Sequence, residues 1–191
     1  MSPVTHFLSG WVLASAFSRQ LGKSGKTIVV LASVAPDIDG LGIIPELLTR
    51  NSSHPLLWFS EYHHSLHNLA FALLCTVAAF LVLRNTTVNR WFAALMVFLS
   101  FHLHLLCDLV GARGPDGYQW PIPYLKPFSN SVQLTWSHQW ILNGWQNFVI
   151  TSILLFVALW IAWRRGESPL QFASERADRA LTQALRTRFS R

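Results

Sequence analysis

Two long apolar runs constrain the fold of this chain more than any other feature. Residues 91–110 read WFAALMVFLSFHLHLLCDLV, and residues 141–163 read ILNGWQNFVITSILLFVALWIAW. Each is about as long as the twenty residues that an α-helix needs to cross the hydrocarbon core of a bilayer. The second run is followed at once by Arg164 and Arg165, as is typical of a helix end at a membrane surface. We therefore predict that both runs are membrane-spanning helices.

The composition agrees with an integral membrane protein. Hydrophobic residues make up 51% of the 191 residues and charged residues only 13%, whereas about 25% of a soluble domain is charged. Nine tryptophans and thirteen phenylalanines add aromatic side chains of the kind that collect at membrane interfaces. The net charge is +6, but no nucleic-acid-binding motif accompanies it. The expected partner is therefore the lipid bilayer, and no nucleic acid is expected.

Shorter segments complete an all-α, multi-helix membrane domain. Residues 4–18 and 27–42 predict two short N-terminal helices. Pro36 ends the second of these, because the residue before a proline is pushed out of the helical conformation. Residues 61–83 predict a longer helix whose first turns are rich in histidine and whose remainder is apolar.

The C-terminal tail differs from the rest of the chain. Apolar residues recur at steps of three and four from Leu170 to Phe189, and arginines fill the other face. This pattern predicts a basic amphipathic helix that either is solvated or lies on anionic lipid. We therefore divide the chain into a membrane-embedded domain over residues 1–165 and a basic amphipathic tail over residues 166–191.

Basic residues between the apolar segments predict one orientation in the membrane. Cytoplasmic loops carry the excess of lysine and arginine, so we expect all three basic clusters in the cytoplasm. These clusters are Arg19, Lys23 and Lys26; Arg84 and Arg90; and Arg164 and Arg165. The opposite ends of the segments, which carry the histidines and aspartates described next, then lie together on the non-cytoplasmic side. Multiple crossings of the bacterial inner (cytoplasmic) membrane are the expected localisation.

Histidines and aspartates occur at the spacing of metal ligands. His104 and Asp108 are four residues apart and share one face of the predicted helix. An ionised aspartate in an apolar helix is costly unless it is paired or bound to a metal. His63 and His67 are also four apart, a spacing at which two imidazoles on a helix can bind one cation.

Three further candidates lie on the same side. Asp37 and Asp39, in the sequence PDID, follow the end of a predicted helix, and His6 lies on the same inferred face. Taken singly, PDID is typical of a turn with a capping aspartate, and a lone histidine is typical of a packed core. The prediction of a metal site depends on the coincidence of these sites at one end of the segments.

The ligand types favour a particular chemistry. Histidine and carboxylate ligands without a suitably placed thiolate suit a divalent metal, with zinc favoured and manganese or iron as alternatives. The candidates outnumber the ligands of one zinc, and two-metal sites serve the hydrolysis of phosphoesters and related bonds. A spare carboxylate such as Asp39 would act as general base. No Ser-His-Asp arrangement or phosphate-binding glycine loop competes with this hypothesis.

The order and spacing of these segments resemble a bacterial family of LexA-regulated, inner-membrane proteins described as metal-dependent hydrolases. The similar segments are THFLSGW, APDID, the histidine cluster before the third apolar segment, HLLCD, and the loop GYQWPIPYLKPFS. The resemblance covers about residues 1–165.

This resemblance implies a metal site made of His6, Asp37, Asp39, His63, His67, His104 and Asp108. In that family an arginine commonly follows the first histidine of the cluster and a serine follows the last, whereas this chain has His64 and Asn68 there. His64 and His67 are three apart and also share a helix face, so either His63 or His64 can be the ligand. The site is also similar to those of zinc-dependent phospholipases C and nucleases, which implies a phosphoester or phospholipid substrate.

Three hypotheses follow from the sequence. The first is a membrane-bound metal-dependent hydrolase, in which metal-activated water attacks an ester, with a phosphoester or lipid head group favoured. The second is an ion-handling protein, but the polar residues lie at one end of the segments and mark no path across the membrane. The third is a non-catalytic membrane protein whose metal only joins its helices. In the loop over residues 114–128, Lys126 either meets an anionic substrate or is a solvated charge.

Overall fold

The fold, in a computed structural model that describes residues 1–114 and 116–189, is entirely helical. Its eight described α-helices are α1 (Pro3–Ala16), α2 (Ser18–Ala32), α3 (Ile43–Thr49), α4 (Trp58–Tyr62), α5 (Leu69–Val82), α6 (Arg90–Gly111), α7 (Trp145–Arg165) and α8 (Glu175–Arg188). Three 3₁₀-helices cover Pro36–Gly42, Leu83–Asn85 and Pro169–Phe172. The predicted all-α class is confirmed.

Two of the described helices, α6 and α7, are long and apolar enough to cross a membrane. Helix α2 and the segment Pro36–Thr49 pass the same test together, but they bend by 51° at a short break, so the number of candidate spans is two or three. The break lies where Pro36 was expected to end a helix, and α2 stops at Ala32. Helix α5 is also apolar but shorter than a full span.

Helix α6 lies at the centre of the bundle and packs against α1, α2 and α5, while α1 also packs against α7. At one end of the bundle, Arg165 of α7 donates a hydrogen bond to the carbonyl oxygen of Ser15, near the end of α1. Val88, between α5 and α6, packs against the start of α2, which includes Leu21. The three basic clusters therefore gather at this end, and the predicted ligand residues lie at the other.

Small residues let α1, α2 and α6 approach closely. A Cβ atom added at Gly10 of α1 would collide with the side chain of Ser33 at the end of α2. The hydroxyls at this crossing are satisfied locally, because Ser33 Oγ donates to Val30 O at 2.7 Å and Ser100 Oγ donates to Val29 O at 2.9 Å. Such small polar residues are typical of close helix contacts in membranes. The contact holds Ser33 beside α6.

The predicted helix over residues 61–83 is wrong at its start. Helix α4 ends at Tyr62, and α5 begins at Leu69, so the histidine cluster forms a turn. Asn68 is extended and caps α5 by accepting a hydrogen bond from Phe71 N at 2.8 Å. His64 has a positive φ of 79°, which an α-helix does not accommodate. The turn, and not a helix face, brings the side chains of this cluster together.

The tail forms the predicted amphipathic helix α8 and packs at the basic end of the bundle. Lys26 Nζ lies 3.0 Å from Glu167 Oε1, and this lysine side chain is only 6% exposed. Phe172 packs edge-on against Phe7 with a ring separation of 5.7 Å. Ser168 donates to Asp178 Oδ1 at 2.6 Å, which joins the 3₁₀-helix to α8. The division into a domain and a separate tail stays a prediction.

Candidate metal centre

Four polar side chains converge at the end of the bundle opposite the basic clusters. They are His6 from the first turns of α1, Asp37 from the 3₁₀-helix after α2, and His104 and Asp108 from adjacent turns of α6. One potential ligand atom from each lies within 4.8 Å of all the others. His6 and His104 are fully buried, whereas the Asp37 side chain is 21% exposed. Asp37 is therefore the most exposed of the four residues, and His6 and His104 are shut off from solvent.

His67 reaches the same group from the turn before α5. Its Nε2 atom lies 3.1 Å from His104 Nε2, 3.5 Å from Asp108 Oδ2 and 3.9 Å from Asp37 Oδ1. His67 is also fully buried. Three imidazoles and two carboxylates thus share one small volume, although they come from four separate parts of the chain.

The spacing of these atoms fits a divalent metal ion. His104 Nε2 lies 3.0 Å from Asp108 Oδ2, and His6 Nε2 lies 3.1 Å from Asp108 Oδ1. Ligand bonds of about 2.0–2.1 Å in tetrahedral geometry place neighbouring ligand atoms roughly 3.3 Å apart. His6 Nε2 is close to the carboxylate but makes no hydrogen bond, and Asp37 Oδ2 is also buried without a partner. Buried polar atoms without partners are costly, so a shared ligand between them is the simplest way to satisfy them.

Outer contacts orient two of the imidazoles. His104 Nδ1 lies 2.9 Å from the carbonyl oxygen of Ser33, which leaves Nε2 facing the cluster. His67 Nδ1 lies 3.4 Å from Asp39 Oδ2, which again leaves Nε2 facing the cluster. Metal-binding histidines commonly donate their second ring N–H to a backbone carbonyl or a carboxylate. His104 has such a contact with Ser33, whereas His67 Nδ1 faces Asp39 without a hydrogen bond. The carbonyl of Ser33 was missed by the sequence analysis, because any residue type supplies one.

Asp39 lies behind the cluster. Its Oδ1 is 3.0 Å from His63 Nδ1, and its Oδ2 accepts a hydrogen bond from Leu66 N at 3.0 Å as well as facing His67. Both oxygens are therefore engaged by the histidine turn. The roles predicted for Asp39, as metal ligand and as general base, stay predictions, and its contacts favour an orienting role.

The structure places His63 and His64 side by side but outside the group of four. His63 stacks on Phe59 with a ring separation of 4.5 Å and pairs with Asp39. His64 lies 4.6 Å, between ring centroids, from both His67 and Trp120, and neither of its ring nitrogens has a hydrogen-bond partner. Which of the two would bind a metal stays open, although only His64 has both nitrogens free.

The charge states of the turn differ between neighbours. Burial lowers the pKa of His64 to about 3, and repulsion from His67 and His63 acts in the same direction. Burial alone would also lower the pKa of His67, but the nearby carboxylates of Asp108 and Asp39 outweigh it and raise that pKa to about 9. The imidazole of His67 is therefore protonated on both ring nitrogens, and positively charged, at neutral pH when no metal is bound. The amino group of Met1 also contacts Asp108 Oδ1, so the cluster already accommodates positive charge.

These features define the class of the protein: it is an all-helical membrane protein with a buried His/Asp cluster at one end of its helix bundle. The chain belongs to the YdjM inner membrane protein family, whose family model matches residues 1–174. Comparisons with curated proteins and with solved structures gave no match. The predicted resemblance to a bacterial inner-membrane family is confirmed at that level, and the match extends past residue 165 into the tail.

Proposed function

We propose that this chain is a membrane-bound metal-dependent hydrolase that cleaves an ester, with a phosphoester or a lipid head group favoured as substrate. The convergence of the four ligand atoms within 4.8 Å carries the proposal. In this proposal His6, Asp37, His104 and Asp108 hold a divalent metal, with zinc favoured, and His67 is available as a further ligand. Such a metal, when bound, lowers the pKa of water and polarises the bond to be broken.

The chain's own residues would prepare the site for this chemistry. Ser33 and Asp39 keep the Nε2 atoms of His104 and His67 directed at the cluster. The burial of His6 and His104 excludes water from the bundle side, while the Asp37 side chain is partly exposed to solvent. We assign Asp39 to orientation, because both of its oxygens already accept from the histidine turn.

The alternative is a non-catalytic membrane protein with a structural metal site. One observation favours it: three of the imidazoles are fully buried, as in closed structural sites. The partial exposure of Asp37 favours the hydrolase, since a catalytic site needs one position open to water.

The orientation completes the proposal. The basic clusters share one end of the bundle, and the positive-inside rule supports an orientation with that end in the cytoplasm. We infer that the His/Asp cluster then lies at the non-cytoplasmic side of the inner membrane. Expression under LexA control, which the family resemblance implies, stays a prediction.

The first experiment is elemental analysis of the detergent-purified protein. Wild type is compared with a His104→Ala/Asp108→Ala double variant and with a His54→Ala/His138→Ala control, whose histidines are exposed and lie outside the cluster. We expect stoichiometric metal in wild type and control, and its loss in the first variant with helix content retained. Absence of metal from wild type after reloading would refute the site. If metal is present, a panel of phospholipids and soluble phosphoesters tests catalysis, and a metal-loaded protein that leaves the whole panel intact favours the structural alternative.

A further inference from the structure

An apolar groove of about 550 Å³ lies between the last turns of α7 and the end of α8. It is lined by six apolar or aromatic side chains, which are Phe156, Leu159, Trp160, Trp163, Leu185 and Phe189. Because Phe156 and Trp163 are two turns apart on α7, the groove follows that helix for roughly 10 Å. Helix α7 is a candidate membrane span that ends at Arg165. The groove therefore runs from the basic end of the bundle toward the middle of this span.

Hydrogen bonds at Trp163 fix the two walls of the groove against each other. The indole Nε1 of Trp163 donates to Phe189 O at 3.2 Å, and its carbonyl oxygen accepts from Arg186 Nε at 3.2 Å. Gly166, which follows α7 with a φ of 76°, makes room for this contact, because a Cβ atom there would collide with the guanidinium of Arg186. These contacts distinguish the groove from the exposed apolar face that any membrane-spanning helix presents to lipid.

Two arginines lie at the basic end of the groove. The Cζ atom of Arg164 is 5.4 Å from the ring centroid of Trp163 and 5.9 Å from that of Trp160, while Arg186 contacts the carbonyl of the same Trp163. Both arginines are exposed, and neither forms an ion pair in the part of the chain that the structure describes. A guanidinium has five N–H donors, and the bond to Trp163 uses only the Nε–H of Arg186. Accessible donors from two helices are therefore held on one tryptophan.

We propose that this groove binds one anionic phospholipid, with an acyl chain along α7 and the phosphate at Arg164 and Arg186. Arginine suits this role because its planar fork of donors matches the oxygens of a phosphate. A soluble phosphate would leave the groove empty and a neutral apolar ligand would leave the arginines unpaired, whereas an anionic lipid satisfies both. A second copy of the chain fits less well, because pairing through this same face would bring four arginines together. The site is independent of the metal centre, which lies at the other end of the bundle.

The test is equilibrium binding of short-chain lipids to the full-length, detergent-purified protein. Three probes are compared: dioctanoyl phosphatidylglycerol, dioctanoyl phosphatidylcholine and glycerophosphoglycerol, which is the first head group without its acyl chains. Phosphatidylglycerol should bind about tenfold or more tightly than phosphatidylcholine, whose choline group offsets the charge of its phosphate. Glycerophosphoglycerol should bind at least about tenfold more weakly than phosphatidylglycerol, because it buries no apolar surface in the groove. Equal affinity for the two lipids, or for phosphatidylglycerol and its free head group, overturns the inference.

A double variant tests the arginines. Arg164→Gln/Arg186→Gln should weaken the binding of phosphatidylglycerol by about tenfold or more, to the level of phosphatidylcholine. Arg84→Gln/Arg90→Gln is the matched control, because it removes the same charge at the same end of the bundle and its residues do not line the groove. Arg90 also lies over an aromatic ring, with its Cζ atom 4.4 Å from the centroid of Phe80. The control should bind as wild type does, and an equal loss in both variants would indicate general charge attraction and overturn the site.

A third variant tests the groove without changing the charge. Leu159→Trp places a larger ring in the groove and should weaken the binding of both lipids several-fold while the helix content is retained. Wild-type affinity in this variant, or in the arginine double variant, contradicts the proposal. Light scattering on the same samples tests the competing occupant, since a wild-type dimer that Leu159→Trp converts to a monomer would assign the groove to a second copy of the chain and overturn the lipid site.

Discussion

Replacing Asp39 by asparagine should weaken metal binding without removing a ligand. The side chain keeps its size, but its charge is lost and one oxygen becomes an N–H donor. If that donor replaces Oδ1 it faces His63 Nδ1, and if it replaces Oδ2 it faces both His67 Nδ1 and the N–H of Leu66, which is itself a donor. Loss of such an outer partner typically costs about 10- to 100-fold in metal affinity, which corresponds to about 1.4–2.7 kcal/mol.

Chelator competition at fixed pH measures this affinity in wild type and in Asp39→Asn. The matched control is Asp116→Asn, because Asp116 is exposed in a loop and accepts a hydrogen bond from Tyr118 N at 3.1 Å. The control should bind metal as wild type does. Wild-type affinity in Asp39→Asn, combined with a loss of hydrolysis, would refute the orienting role and support the general base predicted from the sequence.

Three further predictions follow from the contacts at the two ends of the bundle. Because His67 holds a proton below about pH 9 in the metal-free protein, metal binding should release it, and the apparent affinity should rise by about tenfold per pH unit between pH 6 and 9. Gly10→Ala should lower the free energy of unfolding by about 1–3 kcal/mol, measured by denaturation in detergent, because the new methyl group collides with Ser33. Glu167→Gln should lower the melting temperature and release the tail to limited proteolysis, because it leaves buried Lys26 without its carboxylate.

Each of these predictions has its own counter-result. A metal affinity that does not change with pH over that range would mean that metal binding does not release a proton from His67. Glu175→Gln is the control for the tail, because its partner Lys23 is 86% exposed and such a pair contributes little. Equal melting temperatures for the Glu167 and Glu175 variants would contradict the expectation that the buried Lys26–Glu167 pair stabilises the protein more than the exposed Lys23–Glu175 pair does. Unchanged stability of Gly10→Ala would show that α1 and α2 move apart at little cost.

The sequence predicted the long helices well and the histidine turn poorly. Helices α6 and α7 come from long, largely apolar runs of bilayer length, although α7 begins at Trp145 and not at residue 141. The His104–Asp108 pair was predicted for the same reason, since a regular helix keeps residues four apart on one face. The segment before α5 is different, because the cap of Asn68 and the positive φ of His64 override the helical continuation that the pattern suggested.

The candidate metal centre could be predicted only in part from the sequence. Residue types revealed which side chains suit a metal, and the basic clusters indicated that these side chains share one end of the bundle. Some residues lie within reach of a metal and others only orient those residues. The difference depends on distances of a few tenths of an ångström around Asp39 and His67, which the spacing of residues along the chain does not encode. The backbone carbonyl of Ser33 leaves no trace in the sequence at all.

The order of the ligands along the chain has a consequence for biosynthesis. His6 is synthesised first, whereas His104 and Asp108 lie near the end of α6. All four candidate ligands are therefore present only after that helix has been synthesised. In the proposed function the ion therefore arrives after insertion, and its binding free energy is added to the folding of an already embedded bundle. Cells starved of metal would then hold inserted chains that are loosened at the His/Asp cluster, and proteases of the membrane surface would remove these chains first. The abundance of the protein would report on metal supply as well as on transcription.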